Sequence, residues 1–265
     1  MSRLHVRPRA EPSGRILNVN PQSAHWEYVG FEVFRLESGA RLEQGSDHTE
    51  VCIVIVSGLA HISTAQQQWR NLGARHSPFD AQAPFAVYVP PRDRFAIEPL
   101  SELEIALCKA PAEGRFPARL ITPDECAPEV RGEGTNRRQV CNILFGNVAA
   151  EKLLVVEVIT PAGHWSSYPP HKHDSAVEGR ETRLEETYYH RLDPPQGFAF
   201  QRVYTDDRSL DETITVEDRS VVMVPRGYHP VGAPHGYELY YLNVMAGPER
   251  NWIFQNDPSH EWMLK

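Results

Sequence analysis

The stretch VVMVPRGYHP at residues 221–230 decides the fold, because it repeats AVYVPPRDRF at residues 86–95, at a distance of 135 residues. Two further pairs flank it in the same order: FRLESG (34–39) with VITPAG (158–163), and ELEIALCKA (102–110) with ELYYLNVMA (238–246). Their distances are 124 and 136 residues. Nearly equal distances indicate an internal duplication, with about eleven extra residues in the second copy. The sequence therefore predicts two similar halves.

Short apolar runs, rich in β-branched and aromatic residues, follow one another along the whole chain. They are VGFEVFRL, EVCIVIV, FAVYVP, LEIALCKA, KLLVVEVIT, EETYYHRL, FAFQRVYT, TITV, VVMVP and ELYYLNVMA. Runs of this length and composition are typical of strands. Many of the 17 glycines and 22 prolines lie between them, as turn residues do in an all-β chain. We therefore expect an all-β protein built from two β-barrels.

Length and charge exclude several classes of function. The chain has 265 residues, enough for a substantial hydrophobic core, and a net charge of −8 with no basic block, which argues against nucleic-acid binding. Its longest apolar run, Val51 to Val56, is too short to span a bilayer, and the N-terminus has no apolar signal core. The four cysteines form no CxxC pair and suit packing. These features predict a cytoplasmic protein without a membrane partner.

A polar segment between the halves sets the expected domain boundary. Residues 111–139 are interrupted by Pro and Gly and are predicted to link the halves. We expect an N-terminal domain with its linker at residues 1–130 and a C-terminal domain at residues 131–265. A second polar insert, residues 174–183, separates two motifs of the second half, and such loops commonly carry function.

The second half contains a set of metal-ligand side chains. His171 and His173 are two residues apart and project from the same face of an extended strand. A later strand offers Glu185 and Glu186, of which only one can point inward, and His229 ends another strand. Three imidazoles and one carboxylate bind a first-row divalent metal such as Zn, Mn or Fe.

This order of ligands resembles that of the cupins, small jelly-roll barrels. Thirteen residues separate His173 from Glu186, more than is usual in cupins, and the insert at residues 174–183 accounts for the difference. The spacing of Glu186 to Tyr189 matches the Glu-x-x-aromatic strand of cupins and favours Glu186 over Glu185, although both stay open.

The first half lacks these ligands. It has a single His48 where the second half has a histidine pair, and Arg94 stands where the 135-residue distance places His229. Arginine stays protonated and cannot bind a metal. The first barrel is therefore expected to be degenerate.

Longer stretches resemble the bacterial 5-deoxy-glucuronate isomerase family. They are HWSSYPPHKHD, LEETYYHR, GFAFQRVYTDDRSLDE, VPRGYHPV, GYELYYLNVMAGPERNW and NDPSHEW, within residues 160–262, together with RGEGTNRRQV at residues 131–140. The resemblance implies a bicupin, two jelly-roll barrels of which only the second binds metal, related to the uronate ketol-isomerases. It implies the ligands His171, His173, Glu186 and His229 for one divalent ion, with Zn or Mn favoured and Fe admitted. It also implies a homo-oligomer.

The resemblance further implies a reaction. Members of that family convert 5-deoxy-D-glucuronate to 2-deoxy-5-keto-D-gluconate in myo-inositol catabolism, an aldose–ketose isomerisation through an enediol. Two other functions remain open for a chain with these ligands: an Fe(II) dioxygenase on the same fold, and a bicupin that binds a sugar without turnover.

Several further residues are candidates for handling a small anionic sugar acid. Tyr188 and His190 alternate with Glu186 along its strand and are candidate bases. Arg202, expected to be buried in an apolar strand, and Arg183 in the insert could bind the carboxylate. Tyr241 and Asn243 could face the barrel interior and bind substrate. Each could equally be a core or salt-bridged residue. Lys172 is expected to be solvated.

Overall fold

The computed structural model of this protein describes residues 2–264, and these are almost entirely strands and turns. The strands up to residue 131 are β1 (His5–Val6), β2 (Arg15–Val19), β3 (Gly30–Leu36), β4 (Leu42–Gly45), β5 (Thr49–Ser57), β6 (Ala60–Thr64), β7 (Gln68–Leu72), β8 (Ala86–Val89), β9 (Arg94–Pro99), β10 (Leu103–Pro111), β11 (Arg119–Ile121) and β12 (Ala127–Arg131).

The later strands are β13 (Arg138–Leu144), β14 (Leu154–Thr160), β15 (Trp165–Ser166), β16 (His171–Lys172), β17 (Glu185–Asp193), β18 (Phe198–Tyr204), β19 (Asp211–Glu217), β20 (Val221–Val224), β21 (Val231–Gly232), β22 (Glu238–Ala246) and β23 (Gln255–Asn256). The described helices are one short α-helix, α1 (Pro21–Ala24), and the 3₁₀ turns Gly134–Asn136 and Glu261–Leu264. The all-β class predicted from the sequence is confirmed, and each of the ten apolar runs forms a strand.

The chain forms two compact units. The first unit comprises Pro8–Pro128 and Cys141–Val156. Its strands form a six-stranded sheet in the order β11-β8-β5-β10-β3-β2 and a four-stranded sheet in the order β4-β9-β6-β7. Apolar side chains of both sheets, including Val51 and Ile53 of β5 and Phe95 and Ile97 of β9, pack into one core.

The second unit comprises Met1–Arg7, Glu129–Val140 and Glu157–Lys265. A seven-stranded sheet has the order β1-β20-β17-β22-β14-β13-β12, a second four-stranded sheet has the order β15-β21-β18-β19, and β16 pairs with β23. The predicted boundary near residue 130 stays a prediction, and the polar segment predicted as a link also carries β11, β12 and the start of β13.

The internal duplication of the sequence is also visible in the strand order and register of the structure. The order β8-β5-β10-β3 recurs as β20-β17-β22-β14, and β4-β9-β6-β7 recurs as β15-β21-β18-β19. In the first unit Val51 of β5 pairs with Val89, and in the second Glu186 of β17 pairs with Val224. Because Val89 and Val224 occupy the same place in the repeated motif, Val51 and Glu186 occupy equivalent positions. Two larger-plus-smaller sheet pairs in this order are consistent with jelly rolls.

Glu50, beside Val51, has a structural role in the first unit. Its carboxylate is fully buried and accepts hydrogen bonds from the backbone N–H groups of residues 151, 152 and 153, at 2.7–2.8 Å. The Tyr88 hydroxyl donates a fourth hydrogen bond at 2.8 Å. A buried carboxylate with this many donors has its hydrogen-bonding capacity satisfied within the protein.

Within residues 2–264, no helix has the length and apolar character needed to cross a membrane. The four cysteines are buried and carry free thiols, as expected of packing residues.

Candidate metal centre

Three histidines converge in the second unit. His171 lies on β16, His173 follows it, and His229 lies in the turn between β20 and β21. One ring nitrogen from each lies within 4.8 Å of the others. The exposed fractions of the three residues are 9%, 2% and 0%, so the group is shielded from bulk water.

Glu186 completes the group from the neighbouring strand β17. Its Oε2 lies 3.1 Å from Nε2 of His173 and 3.1 Å from Nε2 of His229. Its other oxygen, Oε1, accepts a hydrogen bond from Nδ2 of Asn243 on β22. The structure thus brings together all four residues that the sequence singled out as ligands.

Three ligand atoms of this group have no hydrogen-bond partner among the other described residues. Nε2 of His173, Nε2 of His229 and Oε2 of Glu186 are buried, and no other described group hydrogen-bonds to them. Buried polar atoms are normally satisfied, and these three face a common point. Imidazole nitrogens and a carboxylate oxygen are suitable ligands for Zn, Mn or Fe. The residues present therefore fit a divalent metal ion.

Hydrogen bonds behind the rings set their orientation. Nδ1 of His229 donates to the carbonyl oxygen of Gly227 at 2.9 Å, and the backbone of Pro169 is a hydrogen-bond partner of the His171 ring. Such bonds fix the tautomer of a metal-binding histidine and turn the other nitrogen toward the metal. The chain thus orients the ligands independently of any ion.

The pKa shifts of Glu186, His171 and His229 favour the protonation states that bind metal. Burial opposes ionisation of Glu186, but the nearby His229 and His173 and the hydrogen bond from Asn243 outweigh it and lower the Glu186 pKa to about 2. Burial lowers the pKa of His229 and, well below its ordinary value, that of His171. The pKa of His173 is raised, because the attraction of Glu186 exceeds the effect of burial. A carboxylate and neutral imidazoles are the ligand forms that bind metal.

Charged side chains of the insert hold the ligand loops in place. Lys172 is buried, so the expectation that it is solvated is wrong. It donates to Asp174 at 2.9 Å and to Glu181 at 3.1 Å. Asp174 also accepts from the backbone N–H of Gly227 at 2.8 Å, two residues before His229. These bonds connect the His171–His173 segment to the turn that carries the third histidine.

Tyrosines and serines line the space beside the histidines. The Tyr188 ring centroid lies 5.8 Å from that of His229 and 4.7 Å from that of Tyr241. The Tyr188 hydroxyl bonds to Oγ of Ser167 at 2.9 Å, and the Tyr241 hydroxyl to Oγ of Ser166 at 2.6 Å. Burial raises the pKa of both tyrosines, so both hydroxyls stay protonated.

His190 lies two residues after Tyr188 on β17 and is fully buried. Its Nε2 bonds to Oε1 of Gln201 at 3.0 Å, and its ring stacks near Tyr188 at 5.9 Å. Burial lowers its pKa to about 3, so the ring is neutral. Gln201 also donates to the carbonyl oxygen of His229 at 3.4 Å.

Neither of the two arginines predicted to bind the substrate carboxylate is buried beside the histidines. Arg202 is not buried: its side chain is 42% exposed and forms a bidentate ion pair with Asp211, at 2.7 and 2.8 Å. Strand alternation turns Gln201 inward and Arg202 outward. Arg183 is exposed and borders a surface hollow that Glu178 and Asn251 also line.

Sequence reasoning missed several residues of this site. Phe254 and Trp252, near the C-terminus, lie against His171, with ring centroids 4.7 and 6.0 Å away. Ser166 and Ser167 precede the histidine motif, and Asp174 follows it. Only Asp174 offered a signal in the sequence, as an acidic residue directly after the histidine pair.

Comparison with known proteins places this chain among close relatives. The sequence profile described as the KduI/IolB family matches residues 4–263. A protein of Geobacillus thermodenitrificans named 5-deoxy-glucuronate isomerase is 53% identical, over 95% of this chain and 92% of its own length. Another protein of that name, from Halalkalibacterium halodurans, is 48% identical, over the full length of both chains.

Solved structures show the same fold. The crystal structure of an IolB-like protein from Salmonella typhimurium LT2 is 51% identical, matches 99% of both chains and has a TM-score of 0.97. Oxalate decarboxylase from Bacillus subtilis is 14% identical, with a TM-score of 0.68 over 97% of this chain and 80% of its own. The second likeness supports a bicupin fold alone.

Proposed function

Because this chain belongs to the KduI/IolB family, we propose that it is a metal-dependent aldose–ketose isomerase that converts 5-deoxy-D-glucuronate to 2-deoxy-5-keto-D-gluconate. Relatives about half identical over their full length are named 5-deoxy-glucuronate isomerase. The observation that carries the proposal is the convergence of three buried, unsatisfied ligand atoms, from His173, Glu186 and His229.

His171, His173, Glu186 and His229 would hold one divalent ion. Zn or Mn is the favoured ion, with Fe as the other choice for this donor set. The bound ion would supply a Lewis acid that polarises a sugar oxygen and stabilises negative charge on it. Asn243 would keep the Glu186 carboxylate turned toward the other ligands through its hydrogen bond to Oε1.

The protein's own part in the isomerisation is to move one proton between C2 and C1 away from water. Of the two candidate proton-transfer residues, Tyr188 is the one whose ring neighbours a histidine of the centre. Its protonated hydroxyl, held by Ser167, can donate to an oxygen of the sugar. His190 lies behind Tyr188 and is neutral, and its Nδ1 has no hydrogen-bond partner among the described residues. Because burial lowers its pKa, His190 is the weaker candidate base.

Tyr241 and Asn243 remain candidates for positioning the substrate, since both are buried beside Tyr188 or Glu186. Arg202 and Arg183 are left out of this site, because Arg202 has a carboxylate partner on the exposed face and Arg183 lies on an exposed loop.

The wider setting of the proposed reaction follows from the family. We place the enzyme in myo-inositol catabolism, in the cytoplasm and as a homo-oligomer. A net charge of −8 with no basic block supports a small-molecule substrate and no nucleic-acid partner.

One experiment tests the proposed function. The purified full-length protein is assayed for metal and given 5-deoxy-D-glucuronate in D₂O without oxygen, while NMR follows the sugar. We expect about one divalent ion per chain, conversion to the ketose with deuterium at C1, and loss of conversion after chelation that returns when metal is restored. Turnover that is absent without oxygen, but begins and consumes oxygen when air is admitted, would favour a dioxygenase. Binding of the sugar acid without turnover under either condition would favour a sugar-binding bicupin. Either result would overturn the proposal.

A further inference from the structure

A half-buried arginine beside the metal centre forms no ion pair within residues 2–264. Arg138 begins β13, and its Nη1 donates to the carbonyl oxygen of Asn136 at 3.0 Å. Among the described residues, no carboxylate lies within ion-pair distance of its guanidinium. Arginine is rarely buried without an anionic partner, because loss of hydration is costly. Arg15, Arg191 and Arg202, by contrast, each pair with a carboxylate.

The turn before β13 leaves room for this guanidinium. Gly132 has φ +76°, a conformation that favours glycine. A Cβ added there would lie 2.8 Å from Nη1 of Arg138 and closer still to the carbonyl oxygen of Asn136. Any larger residue would therefore displace the side chain. The turn thus provides both the space for the guanidinium and its hydrogen-bond acceptor, the carbonyl oxygen of Asn136.

Contacts on two sides place this hairpin beside the histidines. On one side, the guanidinium of Arg131 stacks on Trp252 at 5.4 Å, and the Trp252 ring lies 6.0 Å from that of His171. On the other side, the carbonyl oxygen of Arg137 accepts a hydrogen bond from Nδ1 of His164 at 2.8 Å.

The His164 contact leads to the tyrosines of the site. Two residues after His164, Oγ of Ser166 bonds to the Tyr241 hydroxyl at 2.6 Å, and the Tyr241 ring lies 4.7 Å from that of Tyr188. The start of β13 therefore lies along the same wall of the site as Tyr241.

The charge of Arg138 is not neutralised by the groups around it. Burial lowers its pKa, and the groups that oppose this effect most strongly are the hydroxyls of Tyr241 and Tyr188. Both hydroxyls are neutral, since burial raises the pKa of each. The neighbouring Arg131 is paired with Glu129, and Glu129 opposes the effect of burial on Arg138 less than either tyrosine does. The guanidinium of Arg138 therefore has no ion-pair partner of its own among the described residues, in a chain whose net charge is −8.

We propose that Arg138 binds the carboxylate of the sugar-acid substrate, so that the opposite, carbonyl end of the chain points to His171, His173, Glu186 and His229. This inference rests on the proposed function and assigns the acid-recognition subsite. A guanidinium binds a carboxylate through two parallel charge-assisted hydrogen bonds, and Arg138 is the half-buried arginine of this site without such a partner. The residue selects acids over neutral sugars and takes no part in proton transfer.

The test compares Arg138→Gln and Arg138→Lys with Arg137→Gln in metal-loaded, full-length protein. Arg137 is adjacent and exposed, so its variant makes the same change of charge outside the subsite. We expect Arg138→Gln to raise KM for 5-deoxy-D-glucuronate by about 30- to 100-fold, as loss of hydrogen bonds between charged groups would, with kcat within about threefold. Arg138→Lys should retain part of the affinity, because it keeps the charge but not the bidentate geometry. Arg137→Gln should match the wild type.

A neutral substrate separates carboxylate recognition from general damage. The same aldose with a hydroxymethyl group in place of the carboxylate should be converted equally poorly by the wild type and by Arg138→Gln, so that preference for the acid disappears in the variant. Metal content and urea midpoint report whether each variant is folded. A KM of Arg138→Gln equal to that of Arg137→Gln would overturn the proposal, as would an unchanged preference for the acid.

Failure of the proposed function would show separately, as absence of turnover in the wild type. Arg138 is then tested by calorimetric binding of D-gluconate and of the neutral D-glucitol. Tighter binding of gluconate to the wild type and to Arg137→Gln, lost in Arg138→Gln, would support a carboxylate subsite. Equal gluconate binding by all three proteins would refute it.

Discussion

Equivalent positions of the two units carry opposite kinds of side chain. Three alternating residues of β5 in the first unit correspond, by register, to three alternating residues of β17 in the second. They are Val51, Ile53 and Ile55 in the first unit and Glu186, Tyr188 and His190 in the second. The neighbouring strands differ in the same way: Leu107 of β10 pairs with Ile53, whereas Asn243 of β22 pairs with Tyr188.

The two interiors show that the strand order does not depend on whether the inward side chains are apolar or polar. Both units keep the same strand order, although one interior is an apolar core and the other contains buried carboxylate, imidazole and hydroxyl groups. Strand pairing and alternation determine this fold, and a few inward positions determine the chemistry. The same contrast appears between Glu50, whose oxygens are satisfied by the chain itself, and Glu186, which has an oxygen without a hydrogen-bond partner.

The largest effect is expected at His229. His229→Ala should lose its bound metal and reduce kcat/KM by at least about 10³-fold, since a metal's stabilisation of charge is worth several kcal/mol. Metal content and turnover of the variant measure this. Arg94→Ala, at the position that the repeat matches to His229, should change neither. Full metal content in His229→Ala would show that the centre is wrongly assigned.

The next largest effect is expected at Glu50, the buried carboxylate of the first unit. Glu50→Gln should lower the free energy of unfolding by about 2–4 kcal/mol, because a neutral amide replaces a buried carboxylate that accepts hydrogen bonds from four donors. Urea unfolding followed by fluorescence measures the loss. Tyr88→Phe, which removes one of the four donors, should cost only about 1 kcal/mol. Metal content per folded molecule should stay at the wild-type level in both variants. A drop in metal content in Glu50→Gln with unchanged stability would contradict the structural role given to Glu50 and would make it, rather than Glu186, the metal-binding glutamate.

A smaller effect is expected where Asn243 holds Glu186. Asn243→Leu should weaken metal binding by about 10- to 100-fold, as removal of hydrogen bonds to ligands commonly does, and competition with a chelator measures the affinity. The reverse exchange at the equivalent position, Leu107→Asn, should reduce stability without affecting the metal, because it buries an amide in an apolar core. Equal metal affinity in Asn243→Leu and the wild type would mean that Glu186 is oriented by other contacts.

The smallest effect is expected at Arg202. Arg202→Gln should change stability by less than about 1 kcal/mol, because its ion pair with Asp211 lies on an exposed surface, and should leave KM for the sugar acid unchanged. Steady-state kinetics measure KM of Arg202→Gln and of Arg138→Gln under the same conditions. A rise in KM as large as that of Arg138→Gln would return Arg202 to the substrate site.

The sequence predicted the parts of this structure that depend on short-range pattern. Ten strands, the duplication and the order of the ligands follow from alternation and repetition. Arg202 was misjudged because an apolar run does not show which of its residues face outward, and Gln201 takes the inward position. Lys172 was misjudged because its burial depends on Glu181, which a local pattern does not connect to it.

Arg138 was not among the residues that the sequence singled out, for a related reason. It lies in a polar segment rich in glycine, which is typical of a linker. Its proposed role depends on residues far along the chain, Tyr241 and Tyr188. Pairings over such distances have no signature in a single sequence.

The hydrogen bonds of Glu50 also order events in time during synthesis. Glu50 is separated by 103 residues from Leu153, the last of its backbone donors. At about 5–20 residues per second, the ribosome takes roughly 5–20 s to add that stretch. Until residue 151 is added the carboxylate must remain hydrated, because its three backbone donors do not yet exist and the Tyr88 hydroxyl supplies only one hydrogen bond. The first unit therefore cannot close around Glu50 until the chain has already begun its second half, and an arrest of translation before residue 151 would leave an incomplete unit exposed.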